Sequence, residues 1–263
     1  MKPRPLARLA PAALVALAAA TAWAQQDLTA EQIVRRADRD HRSRDERGVV
    51  EMVLISEADD QRQLRSMEIL GKTGEGDDDL NLVRFLAPPT VRGTAVLTVE
   101  ATGRADDQWL YLPALKKTKR IASTQRTQRF AGTDFTYEDL RTENFAAWTY
   151  RKLDDARVAD VDCFVVEATP KDPEETGYAK RVISVEKARF LIHKVEFFDK
   201  QGRHHKTLVN RDWEQVQGLW RSRQAMMEDH QRRTKTIWRF TERAINPGLP
   251  DGTFTEANLE RGL

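Results

Sequence analysis

The chain has 263 residues, and its 43 lysine and arginine residues nearly balance its 41 aspartate and glutamate residues. A formal net charge of +2 gives no argument for a polyanionic partner such as a nucleic acid. A single cysteine excludes an internal disulfide, so the core alone must be large enough to stabilise the fold.

The N-terminus has the pattern of an export signal. A basic start from Lys2 to Arg8 precedes the apolar run Leu9–Ala20 and the small-x-small sequence Ala22-Trp23-Ala24. The apolar run is shorter than the roughly 20 residues that a membrane-spanning helix needs. Gln25 stands where a lipid-modified signal would carry a cysteine. We therefore predict a signal peptide over residues 1–24 that is cleaved during export.

The mature chain, residues 25–263, contains no linker-like stretch and no internal repeat. Its length fits a single β-rich domain. We predict one soluble, monomeric domain that works in a bacterial periplasm. A protein sent there also has no access to nucleic acid, so the basic run from Lys116 to Arg129 is interpreted as a charged hairpin that protects a sheet edge. Contact of this hairpin with anionic lipid headgroups or an acidic partner is the alternative.

A helix is predicted directly after the export signal. Thr29 and Gln32 fit a capping box, and Ile33, Val34 and Ala37 then fall on one face of a helix running to about Arg44. We expect this amphipathic helix to pack on an apolar surface, with a mobile lid as the alternative.

From Gly48 onward the hydrophobic period becomes that of β-strands. Short β-prone segments are separated by turn residues too few to form crossover helices, which predicts one large antiparallel sheet. The predicted strands cover residues 48–56, 62–70, 80–86, 94–100, 108–112, 117–122, 146–153, 161–169, 179–186, 190–198, 204–213, 218–228 and 234–242.

The hairpin 190–213 has apolar residues on both faces. Strict alternation groups Leu191, Val195 and Phe197 on one face and places Ile192 and Phe198 on the other. Such a sheet needs a core on one side and a second cover, either a helix or a ligand, on the other.

Catalytic and metal-binding patterns are missing from the sequence. Cys163 lies in an apolar run, which is typical of a buried strand cysteine rather than a nucleophile. His204 and His205 are adjacent and would point to opposite faces of a strand, so they lack metal-ligand spacing. No phosphate-binding loop is present. We predict a protein that is not an enzyme and that uses no cofactor or metal.

Two strings identify a family. Trp-Leu-Tyr-Leu-Pro spans residues 109–113, and Gly-Thr-Asp-Phe-Thr-Tyr-Glu-Asp-Leu spans residues 132–140. With the Phe198-Asp199-x-x-Gly202 turn and the segment 254–259, they cause the chain to resemble the outer membrane lipoprotein-sorting family of LolA-like periplasmic proteins over nearly its whole mature length.

The resemblance implies a mainly β fold, a curved antiparallel sheet that forms an incomplete β-barrel with covering helices over an apolar cavity. It implies a carrier that binds the acyl chains of lipid or lipoprotein, alongside an RND-type or MMPL-like inner-membrane exporter. A lipid-sensing or accessory module that regulates a membrane partner is the alternative. Neither the cargo nor the direction of transfer follows from the sequence.

Two residue sets are candidates for function. The first consists of apolar strand residues expected to line the cavity, although the concave face of each strand stays open: Met52, Leu54, Trp109, Tyr111, Ile192 and Phe198. The second belongs to the family motif and serves either as a gate or docking element or as a purely structural corner: Phe130, Gly132, Asp134, Phe135, Tyr137 and Asp139. Within this motif, Asp134 is predicted to cap the turn at residues 136–140.

Overall fold

A computed structural model describes residues 28–74, 78–101, 106–141 and 144–261. The predicted signal peptide, residues 1–24, lies outside the described residues. The elements are α1 (Ala30–Arg39), β1 (Asp45–Ser56), β2 (Gln61–Thr73), β3 (Asp79–Ala87), β4 (Ala95–Val99), β5 (Asp107–Leu112), β6 (Lys117–Arg120), β7 (Trp148–Lys152), β8 (Ala156–Val158), β9 (Val161–Pro170), β10 (Lys180–Glu186), β11 (Ile192–Phe198), β12 (His204–Val216), β13 (Leu219–Asp229), β14 (Thr234–Ile245) and α2 (Glu256–Arg261).

The strands form one curved antiparallel sheet. Its order is β6-β5-β4-β3-β2-β1-β14-β13-β12-β11-β10-β9-β7, and the short β8 pairs with β9. The first strand therefore lies beside the last, with Glu46 opposite Ile245. In the described part of the chain β6 and β7 end this order, so the sheet stays open as an incomplete barrel. The predicted mainly β fold is confirmed, and β8 is the strand that the sequence pattern did not reveal.

Helix α1 begins with the predicted capping box. Gln32 N donates to the Thr29 hydroxyl at 3.2 Å, and Thr29 N donates to the Gln32 side chain at 2.9 Å. The helix ends at Arg39, earlier than predicted, because Asp40 caps it and accepts side-chain hydrogen bonds from Arg36 and Arg39. Among the described residues no helix is long and apolar enough to span a membrane.

One face of the sheet, called the inner face here, carries the main core. Its centre is formed by Val50 and Met52 of β1, Met67 of β2, and Met227 and Trp238 of β13 and β14. Two segments cover this face. Helix α1 packs its buried stripe over the β7–β9–β10 flank, and residues 121–141, called the cover segment here, lie over other strands.

The opposite, outer face has its own apolar cluster. The C-terminal segment 249–259 packs on this cluster with its buried residues Phe254 and Leu259. The strand residues of the cluster, from β2 to β5, are Leu70, Leu82, Leu97 and Tyr111. This second cover lies over the first strands of the sheet, whereas the sequence predicted one for the hairpin 190–213. It is the C-terminus of the chain that supplies it.

Cys163 lies on β9 with no exposed surface. Burial, and then the nearby Glu186 carboxylate, raise the pKa of its thiol to about 11. We expect a thiol reagent at neutral pH to react far more slowly with the folded protein than with the urea-unfolded chain, because the thiolate is the reacting species. The signal reports this residue alone, since the chain has one cysteine.

We further expect Cys163→Ser to cost about 1–3 kcal/mol in the free energy of unfolding, since a buried hydroxyl would lose its water. Thiol release monitored by absorbance, with and without urea, measures the first effect. Rapid labelling of the native protein would contradict the burial.

Candidate functional site

A cavity of about 510 Å³ lies between α1 and the inner face of the sheet. Its volume is in the range of small-molecule sites in proteins. Helix α1 contributes Val34 and Ala37, and the strands, the β10–β11 turn and the turn before β7 contribute the rest of a mainly apolar wall. The apolar wall residues outside α1 are Ile69, Phe145, Ile183, Phe190, Leu191, Ile192, Trp213, Trp220 and Phe240.

Helix α1 is fixed over this cavity by polar contacts at its C-terminal end. The Arg36 guanidinium lies 3.9 Å from the centre of the Phe190 ring. His41 Nε2 lies 2.7 Å from the backbone oxygen of Arg189, at the turn between β10 and β11. The Arg42 guanidinium donates to Asp79 of β3 at 2.6 Å. The end of the helix and the residues that follow it therefore bridge from the β10–β11 turn to β3.

Gly48 shapes the floor of the cavity. A Cβ atom on this residue would lie 2.8 Å from the ring of Phe240 on the neighbouring strand β14. Atoms cannot approach that closely, so glycine is what lets the Phe240 ring lie flat over β1. The ring in turn lies under a guanidinium, since Arg243 Cζ is 3.7 Å from its centre.

Charged residues line the end of the cavity where β1, β3 and β13 begin and β2 and β14 end. Glu46, Arg221 and Arg243 form one group there, and Arg42 and Asp79 form a second. Burial raises the pKa of Asp79 despite its pairing with Arg42. The cavity is thus amphipathic, with an apolar wall and a charged end. Sequence reasoning missed these residues because they come from strands far apart in the chain.

Among the predicted cavity residues, Ile192 lines the cavity. The register of β10 and β11 shifts between Ser184 and Val185, which puts Val185 opposite Ile192. This bulge places Ile192 on the inner face together with Val195, whereas strict alternation separates the two. Phe198 lies elsewhere, with its ring stacked on His204 at 5.4 Å.

The remaining predicted cavity residues lie in packed regions. Met52 is fully buried in the main core, and Leu54 packs against that core. Trp109 and Tyr111 belong to the outer-face cluster under the C-terminal segment. The structure therefore does not bring these four together with Ile192.

The aromatic residues of the family motif point into the main core. The Phe130 ring stacks on Phe85 of β3 at 5.1 Å, and Tyr137 meets Phe130 edge-on at 6.0 Å. Phe135 stacks on Trp238 of β14 with 4.0 Å between ring centres. Offset ring stacking of this kind fixes both position and orientation. Gly132 lies between these anchors with φ +78°, a backbone conformation that glycine tolerates.

The capping role predicted for Asp134 belongs to Asp139 instead. Thr136 N donates to Asp139 Oδ2 at 2.7 Å, and Asp139 N donates to the Thr136 hydroxyl at 3.3 Å. Asp134 accepts from the Thr236 hydroxyl of β14 at 2.7 Å and from Arg129 at 3.1 Å. Asp134 is therefore bound to β14, while Asp139 and Thr136 close the turn through reciprocal bonds.

Asp139 also holds the cover segment to the sheet through buried polar contacts. Lys206 of β12, with 1% of its side chain exposed, donates to Asp139 at 2.6 Å. The Tyr178 hydroxyl donates to the other carboxylate oxygen at 2.6 Å. Burial alone would raise the pKa of Asp139, but Lys206 and the bonds from Thr136 and Tyr178 hold it below its ordinary value. Burial, and then Asp139 and Glu138, raise the pKa of Tyr178 well above its usual range.

The acidic side chains and His41 of the cavity wall are engaged by neighbouring groups of the protein. In the described ranges no three His, Cys, Asp or Glu side chains lie close enough to hold a metal ion. His41 of the cavity wall bonds to a backbone oxygen, and Cys163 is buried in β9 away from the lining residues. The cavity wall combines an apolar surface with fixed charges, and this composition is typical of a ligand-binding site.

The buried ion pair generates a stability prediction. Asp139→Asn leaves the Lys206 ammonium buried without a counter-charge, so we expect a loss of about 3–5 kcal/mol in the free energy of unfolding. The double variant Asp139→Asn/Lys206→Met should lose less than the sum of the single losses. Because the folded-state pKa of Asp139 is lowered, its stabilisation is present above the unfolded pKa of about 3.9 and is lost as pH falls.

Urea unfolding followed by circular dichroism measures these losses. Asp59→Asn, in the exposed turn after β1, is the matched control and should change the free energy by less than about 0.5 kcal/mol. A loss below about 1 kcal/mol for Asp139→Asn would show that the pair does not anchor the cover segment.

A family model and several solved structures match this chain. A family model described as "Uncharacterized protein" matches residues 77–261. No curated protein matches the sequence significantly. A domain from Vibrio parahaemolyticus, named for outer membrane lipoprotein sorting, is 33% identical with a TM-score of 0.83, and the match covers 88% of this chain and 98% of that one.

Two further solved structures agree with it. A DUF1329 family protein from Desulfovibrio piger is 26% identical with a TM-score of 0.83, over 88% of this chain and 97% of that one. A LolA superfamily protein from Nitrosomonas europaea is 23% identical with a TM-score of 0.71, over 88% and 99%, and supports the fold alone. The resemblance inferred from residues 109–113 and 132–140 is confirmed. The chain belongs to the outer membrane lipoprotein-sorting protein family.

Proposed function

We propose that this protein is a periplasmic carrier that shields an acyl chain of a lipid or lipoprotein in the cavity beneath α1. The observation that carries the proposal is the cavity of about 510 Å³, with apolar side chains from α1, β2, β10, β11 and β14. Membership of the family supports a carrier over an enzyme. The N-terminal sequence, with its basic start and small-x-small site, supports the periplasm as the compartment.

Burial of hydrocarbon supplies the binding energy. Each methylene transferred from water contributes roughly 0.8 kcal/mol, so about ten buried methylenes correspond to an affinity in the micromolar range before ordering costs. An acyl chain has the necessary length and flexibility. Such an affinity suits a carrier, because the cargo must be released as well as held.

A membrane partner completes the proposal. The resemblance to the family suggests an RND-type or MMPL-like inner-membrane exporter as the source or recipient of the cargo. Co-purification of the full-length protein with such an exporter, after crosslinking in its native host, tests this part separately from lipid binding.

A charge placed on the cavity wall should weaken cargo binding. We expect Ile192→Asp to reduce the affinity for a fluorescent fatty acid by at least about tenfold, since a charge must then be desolvated beside the acyl chain. The matched control is Phe198→Asp on the same strand, because Phe198 does not line the cavity. Titration of the fluorescent fatty acid measures the affinity.

Circular dichroism distinguishes lost binding from lost folding. Both variants should keep the β-sheet spectrum of the parent protein. Equal affinities of the two variants, or no detectable binding by the folded parent protein, would contradict the cavity as the site. Native mass spectrometry of protein purified from its periplasm should also detect an apolar ligand.

A further inference from the structure

The charged end of the cavity contains two arginines that share one carboxylate. Arg221 Nε lies 2.8 Å from Glu46 Oε2, and Arg243 Nε lies 3.1 Å from Glu46 Oε1. These residues belong to β13, β14 and β1, which are neighbours in the sheet. Two guanidinium charges against one carboxylate leave an excess positive charge at this point of the wall.

The other acids of the cavity wall are engaged elsewhere. Asp38 and Asp79 pair with Arg42 at 3.3 and 2.6 Å. Asp45 accepts from the backbone N–H groups of Gly248 and Leu249 at 2.9 and 3.3 Å.

Two further charges lie near this end. Lys72 of the wall pairs with Asp251 at 2.6 Å. Glu214 acts on Arg243 from a greater distance and lies 3.6 Å from Arg223. The described wall thus holds four basic and four acidic side chains, and the positive excess is local to the group of Arg221, Arg243 and Glu46.

Arg243 is held in place but is poorly compensated. Its side chain is 7% exposed, and it lies over the Phe240 ring and donates one hydrogen bond from Nη1 to the Ser222 backbone at 3.1 Å. Its Nε is buried and finds no aligned hydrogen-bond acceptor in the described part of the chain, although Glu46 is near. Burial lowers the pKa of this guanidinium to about 10. An anion at this point would offset that burial.

We propose that the cavity selects an anionic amphiphile, with a carboxylate or phosphate headgroup on Arg221 and Arg243 and an acyl chain against Phe240, Ile69 and Ile192. The chemistry matches, since a guanidinium binds these headgroups through paired charge-assisted hydrogen bonds. The Phe240 ring joins the two halves of the site, because it contacts the Arg243 guanidinium and also forms part of the apolar wall. This inference rests on the proposed acyl-chain cavity and adds the headgroup class.

The test compares ligands that differ only in the headgroup. Palmitate, lysophosphatidate with a palmitoyl chain, and the neutral 1-monopalmitoylglycerol are titrated against the full mature protein by displacement of a fluorescent probe. We expect the two anions to bind at least about tenfold more tightly than the neutral lipid, which is the range of a hydrogen bond to a charged group. Added salt should weaken the anions and leave the neutral lipid nearly unchanged.

Substitution of Arg243 tests whether the anion preference comes from the arginine pair. Arg243→Gln leaves Glu46 and Arg221 as a balanced pair, so the fold should tolerate it, and it should lower the affinity for the two anions far more than the affinity for monopalmitoylglycerol. Arg239→Gln, an exposed arginine on the same strand, is the matched control and should keep the parent preference. An equal loss for anionic and neutral ligands would assign Arg243 to packing and overturn the proposal.

If Arg243→Gln fails to fold, the ligand comparison on the parent protein alone still tests the headgroup proposal. Equal affinity for palmitate and monopalmitoylglycerol would overturn the headgroup proposal while leaving the acyl-chain cavity intact. Failure to bind any of the three lipids would instead refute the proposed function itself, and the headgroup inference with it.

Discussion

The inner face of the open sheet is apolar and has to be shielded from water by other parts of the same chain. Most of the structure serves to provide that cover. The cover segment is held there by ring stacking on Phe85 and Trp238 and by the buried pair of Lys206 and Asp139. Helix α1 covers another region through its apolar stripe. Where α1 lies over the end of the sheet beside Gly48, a cavity remains between the helix and the strands.

This division of the inner face separates the anchored cover segment from the cavity. The family motif anchors the cover segment, since the Phe130 and Phe135 rings and the Asp134 and Asp139 carboxylates have partners in the sheet. The cavity wall is instead built from residues that no motif marks, such as Ile69, Ile192 and Phe240. Charged side chains at the open end give the wall a polarity along its length. Under the proposed carrier function, this polarity gives a ligand with two chemically different ends one preferred orientation.

Much of the fold follows from local pattern, and the site does not. Alternating apolar residues and short turns predict nearly every strand, and Thr29 with Gln32 predicts the start of α1. The face that a side chain occupies cannot be predicted by alternation across a bulge, as Ile192 shows. One extra residue in a strand reverses the alternation, and only the pairing with the neighbouring strand reveals the bulge. Arg221, Arg243 and Glu46 meet across three strands distant in sequence, so no spacing rule connects them. The cover from Phe254 and Leu259 is similarly nonlocal.

The pairing of β1 with β14 has a consequence for biogenesis. A strand in the middle of the sheet acquires its second neighbour only when nearly the whole chain has been made, because Glu46 faces Ile245. Contacts of such long sequence separation form slowly, and the growing chain presents unpaired strand edges meanwhile. A nascent chain of this topology therefore cannot complete the pairing of β1 until β14 has been made.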